Sequence, residues 1–207
     1  MARSALQNTR SSSISLTAYR VAYCPDGFSL TELVVVITIS LILAGIAIPE
    51  VMNAIHMSHV RTAADSLSVL IQQARITAEQ HDTTVPLYAA TVGTTSVQGA
   101  FISCSTSACP DAATWQPGDA YVPYGADVSN GDATSAPAQL NPGFVPEASG
   151  TVLYLNPLGR AYKSSGVSHT MSKGFIYYLN DDHNDWAAVS VSPLGRSKVW
   201  VYTGGWH

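Results

Sequence analysis

The sequence predicts an α+β protein: one long N-terminal α-helix, its first half suited to a membrane, packed on a C-terminal antiparallel β-sheet head. Three observations predict it. Phe28 to Ile48 is an almost unbroken apolar run. Apolar residues then recur at helical spacing as far as Ala78. From Thr83 onward the pattern changes to short apolar runs broken by Gly, Pro, Asn and Asp, as in strands and turns.

The run from Leu33 to Ile48 is interrupted only by Thr38, Ser40 and Gly45. At about 1.5 Å per residue, Phe28–Ile48 is just long enough to cross a bilayer core. It is too long for a secretory signal, and Pro49-Glu50 follows it in place of a small-residue cleavage site. The segment therefore reads as an anchor. Beyond Pro49, Ile55, Val60, Ala63, Ala64, Leu67, Leu70, Ile71, Ala74 and Ala78 form one apolar face, with Arg61, Asp65, Gln72, Arg75 and Glu79 largely opposite. The helix is expected to reach about Gln80, a rod of about 53 residues or roughly 80 Å. His56 and His59, near the membrane exit on this helix, read as solvated helix residues rather than metal ligands.

In the head, residues 84–92 and 96–104 read as strands, and residues 105–150 as long loops around short strands. Residues 151–162 and 188–200 both carry Pro-Leu-Gly-Arg between apolar runs. Pro suits the first central place of a type I turn and Gly the left-handed residue after it, so each copy predicts a hairpin. "GFIYYLN" and "WAAVSV" flank "DDHND" and predict another. An antiparallel C-terminal sheet of four or more strands is the expected result.

Composition narrows the function. Charged residues make up 12% of the 207, well below the roughly 25% of soluble globular chains. The net charge of −4 gives no general field favouring nucleic acid or anionic lipid. The first 27 residues hold Arg3, Arg10, Arg20 and Asp26, so the rest of the chain stands at −6. Of the three cysteines, Cys24 lies in that first stretch, and its removal leaves Cys104 and Cys109 as an even pair. A disulfide across their four intervening residues is geometrically feasible in an oxidising compartment. The alternatives are two free thiols or half of a metal site.

Glu32 sets a carboxylate at the mouth of the apolar run. The helix dipole favours it there, yet a charge facing lipid is costly and commonly marks function. An interfacial position within reach of headgroups is the plainer reading. A cut after Gly27 would give Phe28 a free α-ammonium one helical turn from Glu32.

"Gly27-Phe28-Ser29-Leu30-Thr31-Glu32", followed by the apolar helix and Pro49, resembles the processing site of type IV prepilins and type II secretion pseudopilins. The likeness covers about 25 contiguous residues; Asp26 stands where the family often has Lys or Arg. It implies a leader, residues 1–27, removed by a prepilin peptidase that cuts after Gly27 and methylates Phe28. It implies an assembly helix at 28–48 continued by an amphipathic 49–80, with Pro49 as a kink and residues 81–207 as the head. Glu32 would neutralise the N-terminus of a neighbouring subunit. The implied partners are other pilins or pseudopilins, the peptidase and an inner-membrane assembly platform. The implied location is a bacterial inner membrane, with a single span and a periplasmic head, before incorporation into a filament. The arginines of the leader agree with a cytoplasmic N-terminus. The repeated strand-to-Gly-Arg turn is similar, more weakly, to the head of the GspH/FimT branch of minor pilins and pseudopilins.

Asp181, Asp182, Asn184 and Asp185 cluster oxygen atoms that would suit Ca²⁺, the one cofactor suggested, although the loop lacks EF-hand spacing and such residues also favour turns without metal. Arg160, Lys163, Arg196 and Lys198, with Tyr162 and Trp200 nearby, offer a modest basic patch for DNA, against solvated turn residues that keep a sheet edge soluble. No motif of a hydrolase, metalloprotease or nucleotide-binding enzyme is present. His183 beside Asp182 reads as a turn pair, with no nucleophile to serve. The expected function is thus structural, as a minor subunit of a pilus or secretion pseudopilus. The alternative is a membrane-anchored protein of the pilus tip that captures DNA or a secreted substrate.

Overall fold

The computed structural model describes residues 28–92, 97–104, 114–132, 134–137, 140, 144–146, 152–163 and 174–207. The stretch read as a leader, Gly27 included, lies outside them. The chain divides into two compact units, Met1–Gly45 and Ile46–His207.

Helix α1 runs over Leu30–His81 without a break. Its start follows from Ser29, whose carbonyl accepts the Leu33 N–H at 3.1 Å as the first helical hydrogen bond. The polar interruptions of the apolar run are neutralised locally. Thr38 Oγ1 donates to the Val34 carbonyl and Ser40 Oγ to the Val36 carbonyl, both at 2.7 Å. Pro49 lies inside the helix and has no N–H for the carbonyl four residues back. That residue is Gly45, where a side chain is lacking as well. The helix ends because Asp82 takes a left-handed conformation, φ 47°, and Thr83 N–H closes back on the Ala78 carbonyl at 3.3 Å. This is a Schellman-type cap with Asp in the place usually held by Gly.

In the second unit α1 buries Val60, Ala63, Ala64, Leu67, Leu70, Ile71, Ala74 and Ala78 against the sheets. Four of the eight are alanines, which let the helix axis approach closely. Ile55, expected on the same face, is instead exposed. Leu67 is fully buried at the centre of this face. Leu67→Ala should therefore cost about 2–5 kcal/mol, through lost transfer energy and a cavity. Val69→Ala, at a site 62% exposed, should cost little. Chemical unfolding of the full chain in detergent compares the two.

The head holds β1 (Val85–Val92), β2 (Val97–Ile102), β3 (Ala120–Pro123), β4 (Val128–Gly131), β5 (Phe144–Pro146), β6 (Val152–Leu155), β7 (Ala161–Lys163), β8 (Gly174–Asp181), β9 (Trp186–Val191) and β10 (Ser197–Val201). They form two sheets. The first has the order β3-β2-β1-β6-β7, the second β10-β9-β8-β4 with β5 also on β8. Every described pairing is antiparallel except β5 with β8.

Alternation explains why both sheets join one core with α1. Val85, Leu87 and Ala89 of β1, and Phe175, Tyr177 and Leu179 of β8, share a cluster with the buried helix face. The opposite faces are covered too. Tyr88 and Phe101 stack on one sheet beside Trp115. Ile176, Tyr178 and Trp186 lie on the other beneath Trp206, near the C-terminus. Burial on both sides accounts for the continuous apolar runs of β8 and β9.

Candidate functional site

Three regions carry candidate residues. The first is the start of α1. Phe28 is 79% exposed, and residues 28–55 are exposed throughout. Glu32 sits in the first turn, where the helix dipole favours a carboxylate. Ser29 and Glu32 also have capping-box spacing, a local role for both that needs no partner. The Ser29 hydroxyl itself bonds to Thr31 Oγ1 at 2.6 Å. α1 is long and apolar enough to cross a membrane.

The second region is the pair of Pro-Leu-Gly-Arg turns. Each closes as its residues dictate. Gly159 N–H reaches the Asn156 carbonyl at 2.9 Å and Gly195 N–H the Ser192 carbonyl at 2.8 Å. Asn156 Oδ1 and Ser192 Oγ then accept the N–H of Arg160 and Arg196, at 2.8 and 3.1 Å. Gly159 and Gly195 have φ of 70° and 71°, the type I turn plus left-handed residue of a bulged hairpin. The turns belong to different sheets, yet they abut. Ala161 N–H donates to the Pro193 carbonyl at 3.2 Å, and Gly195 packs against the Gly159 carbonyl. Arg160 and Arg196 are thereby brought onto neighbouring exposed turns. The other members of the expected basic patch lie differently. Lys198 places its Nζ 3.4 Å from the Trp200 ring centroid. Tyr162 is buried, stacks on Tyr154 and donates to Thr84 Oγ1. Lys163 closes β7, and its side chain is outside the described atoms.

The third region is the β8–β9 turn, residues 182–185. Asp181 organises it: its Oδ1 accepts the N–H of His183 at 3.0 Å and of Asp185 at 2.8 Å. Asn184 adopts φ 66°, and its Oδ1 accepts a hydrogen bond from the Trp186 indole N–H at 2.8 Å. Two of the four oxygen groups expected to gather for Ca²⁺ are thus engaged in building the turn, and Asp182 is exposed. Asp181 faces histidines instead. Its Oδ2 lies 3.8 Å from Nδ1 of His56 on α1 and 4.0 Å from Nδ1 of His183. The two imidazoles stack with centroids 3.6 Å apart. The three residues present ligand atoms all within 4.8 Å of one another. Burial raises the Asp185 carboxyl above its usual range and the Asp181 charge adds to this, while His56 and His183 oppose it. A second pair, His59 Nδ1 to Asp127 Oδ2 at 3.6 Å, lies alongside.

Sequence reasoning set His56 aside as a solvated residue, whereas its side chain is only 16% exposed and faces Asp181; helical periodicity places a residue on a face without naming what that face meets. Its one legible signal was the two histidines three residues apart, at the edge of the apolar stripe. Cys104 is disulfide-bonded and partly buried. Cys109, expected as its partner, lies outside the described residues, as does Cys24.

The fold defines an α+β protein with a long, apolar N-terminal helix packed on antiparallel sheets, an arrangement compatible with a pilin-like fold. No protein-family model, curated protein or solved structure matches the chain.

Proposed function

We propose that this chain is a structural subunit of a type IV pilus or type II secretion pseudopilus, a minor pilin or pseudopilin matured by cleavage between Gly27 and Phe28. The observation that carries the reading is the division of labour along α1. Residues 28–55 are exposed and mostly apolar, whereas Val60 to Ala78 supply the helix side of the head core. An apolar surface that long is stable only in lipid or against other apolar helices. A filament of bundled helices anchored first in a membrane provides both surroundings. On this reading the partners are other pilins, a prepilin peptidase and an inner-membrane assembly platform, and the head is periplasmic.

Mass spectrometry of the protein from its native host tests the proposal. The expected mature chain begins at Phe28, methylated on its α-amine, and lacks the first 27 residues. An intact Met1, or a cut near Pro49, would reject it.

A further inference from the structure

We propose that His56, Asp181 and His183 form a binding site for one divalent transition-metal ion of the Zn²⁺ class, clipping helix α1 to the β8–β9 turn. The side chain of Asp181 is wholly inaccessible, and one oxygen is satisfied by two backbone N–H groups. The other, Oδ2, is buried with no hydrogen bond, and so is Nδ1 of His56. A buried carboxylate oxygen and a buried imidazole nitrogen thus face each other at 3.8 Å, within ion-pair range but with no hydrogen bond to either. That separation is too long for a hydrogen bond. It is close to the roughly 3.3 Å between neighbouring ligands that metal–ligand distances near 2.0–2.1 Å give in a tetrahedron. His183 completes the set: its side chain is 55% exposed, and its ring, stacked on that of His56, would have to turn away from the stack to meet an ion.

The donor set names the metal class. Two imidazole nitrogens and one carboxylate oxygen suit Zn²⁺ and its neighbours, whereas Ca²⁺ and Mg²⁺ require oxygen shells. Three protein ligands leave one tetrahedral position for water. A further carboxylate lies alongside, with Asp127 Oδ2 3.6 Å from Nδ1 of the neighbouring His59. The structural consequence is local. His56 is the first residue of α1 that is not exposed, four positions before the first fully buried one, Val60. A metal there would fasten the first turn of the helix that meets the sheets. The inference is independent of the proposed role in a filament.

Calorimetric titration of the chelator-treated full chain in detergent with ZnCl₂, and separately with CaCl₂, tests it. The expected result is saturable binding of one Zn²⁺ per chain, no comparable uptake of Ca²⁺, and an unfolding temperature that rises with Zn²⁺ concentration. His183→Ala, at an exposed site that leaves the core intact, should weaken Zn²⁺ binding at least about tenfold, since even the outer partners of metal ligands are worth that much. His56→Ala should do the same, and His81→Ala, in the last turn of α1, should change nothing. Absence of one-to-one Zn²⁺ binding, equal binding by His183→Ala, or preference for Ca²⁺ would each overturn the proposal.

Discussion

Gly195→Ala is expected to destabilise the head by about 2–5 kcal/mol, the sum of a forced left-handed backbone and an overpacked contact. Gly195 has φ 71°, and a Cβ there would meet the Gly159 carbonyl oxygen, a backbone atom held by its own turn. Relief requires the two turns to part, which stretches the hydrogen bond from Ala161 N–H to the Pro193 carbonyl. Two other glycines separate the contributions. Gly204 has φ 82° with open space around it, so Gly204→Ala isolates the backbone term, about 1–2 kcal/mol. Gly159 has φ 70° and faces the guanidinium of Arg75, the movable end of a long side chain. Gly159→Ala should therefore fall between the other two. Urea unfolding of the full chain and the three variants in detergent gives the ranking. Equal losses at Gly195 and Gly204 would show that the contact between the turns is slack.

Glu32→Ala is expected to abolish incorporation into a filament while leaving cleavage and membrane insertion intact. After cleavage the Phe28 ammonium and the Glu32 carboxylate would both lie in apolar surroundings, where an unpaired charge is expensive and a matched pair tolerable. Within one chain the two are a helical turn apart, and a terminal turn frays. In the proposed filament, a neighbour's carboxylate would offer the ammonium a better fixed partner and set the axial stagger between helices. Glu32→Asp should be intermediate, because the charge survives with a shorter reach. Cross-linking or pull-down with partner pilins measures the effect. Undiminished assembly of the alanine variant would mean that Glu32 is only an interfacial and capping residue, as its spacing from Ser29 allows. A subunit at the extreme tip, with no neighbour ahead of it, would be the foreseeable exception.

The two effects differ in how much of their cause is visible in the chain. Glu32 stands out from the sequence alone, because a carboxylate at the edge of a long apolar run is anomalous wherever the run is placed. Gly195 is legible only as a turn residue. Its contact with Gly159 joins two hairpins of different sheets, which no local pattern reports.

That contrast holds across the molecule. The sequence by itself determined what depends on near neighbours. Period and apolar length set α1 and its buried face. Pro and Gly at fixed offsets set both Pro-Leu-Gly-Arg turns, and alternating or continuous apolar runs set β1, β2, β8 and β9. The helix end at Asp82 was near to hand, since Asp tolerates the left-handed conformation there. Tertiary structure alone decided which elements meet. It divided the strands between two sheets, left Ile55 exposed, and buried Tyr162 against Tyr154 and Thr84. It also brought His56 of the helix to Asp181 and His183 of a distant hairpin. Apolar periodicity fixes which face of an element leaves water, because burial is non-directional and roughly proportional to area. The partner is chosen by how whole faces fit together at close packing, a property of the assembled head.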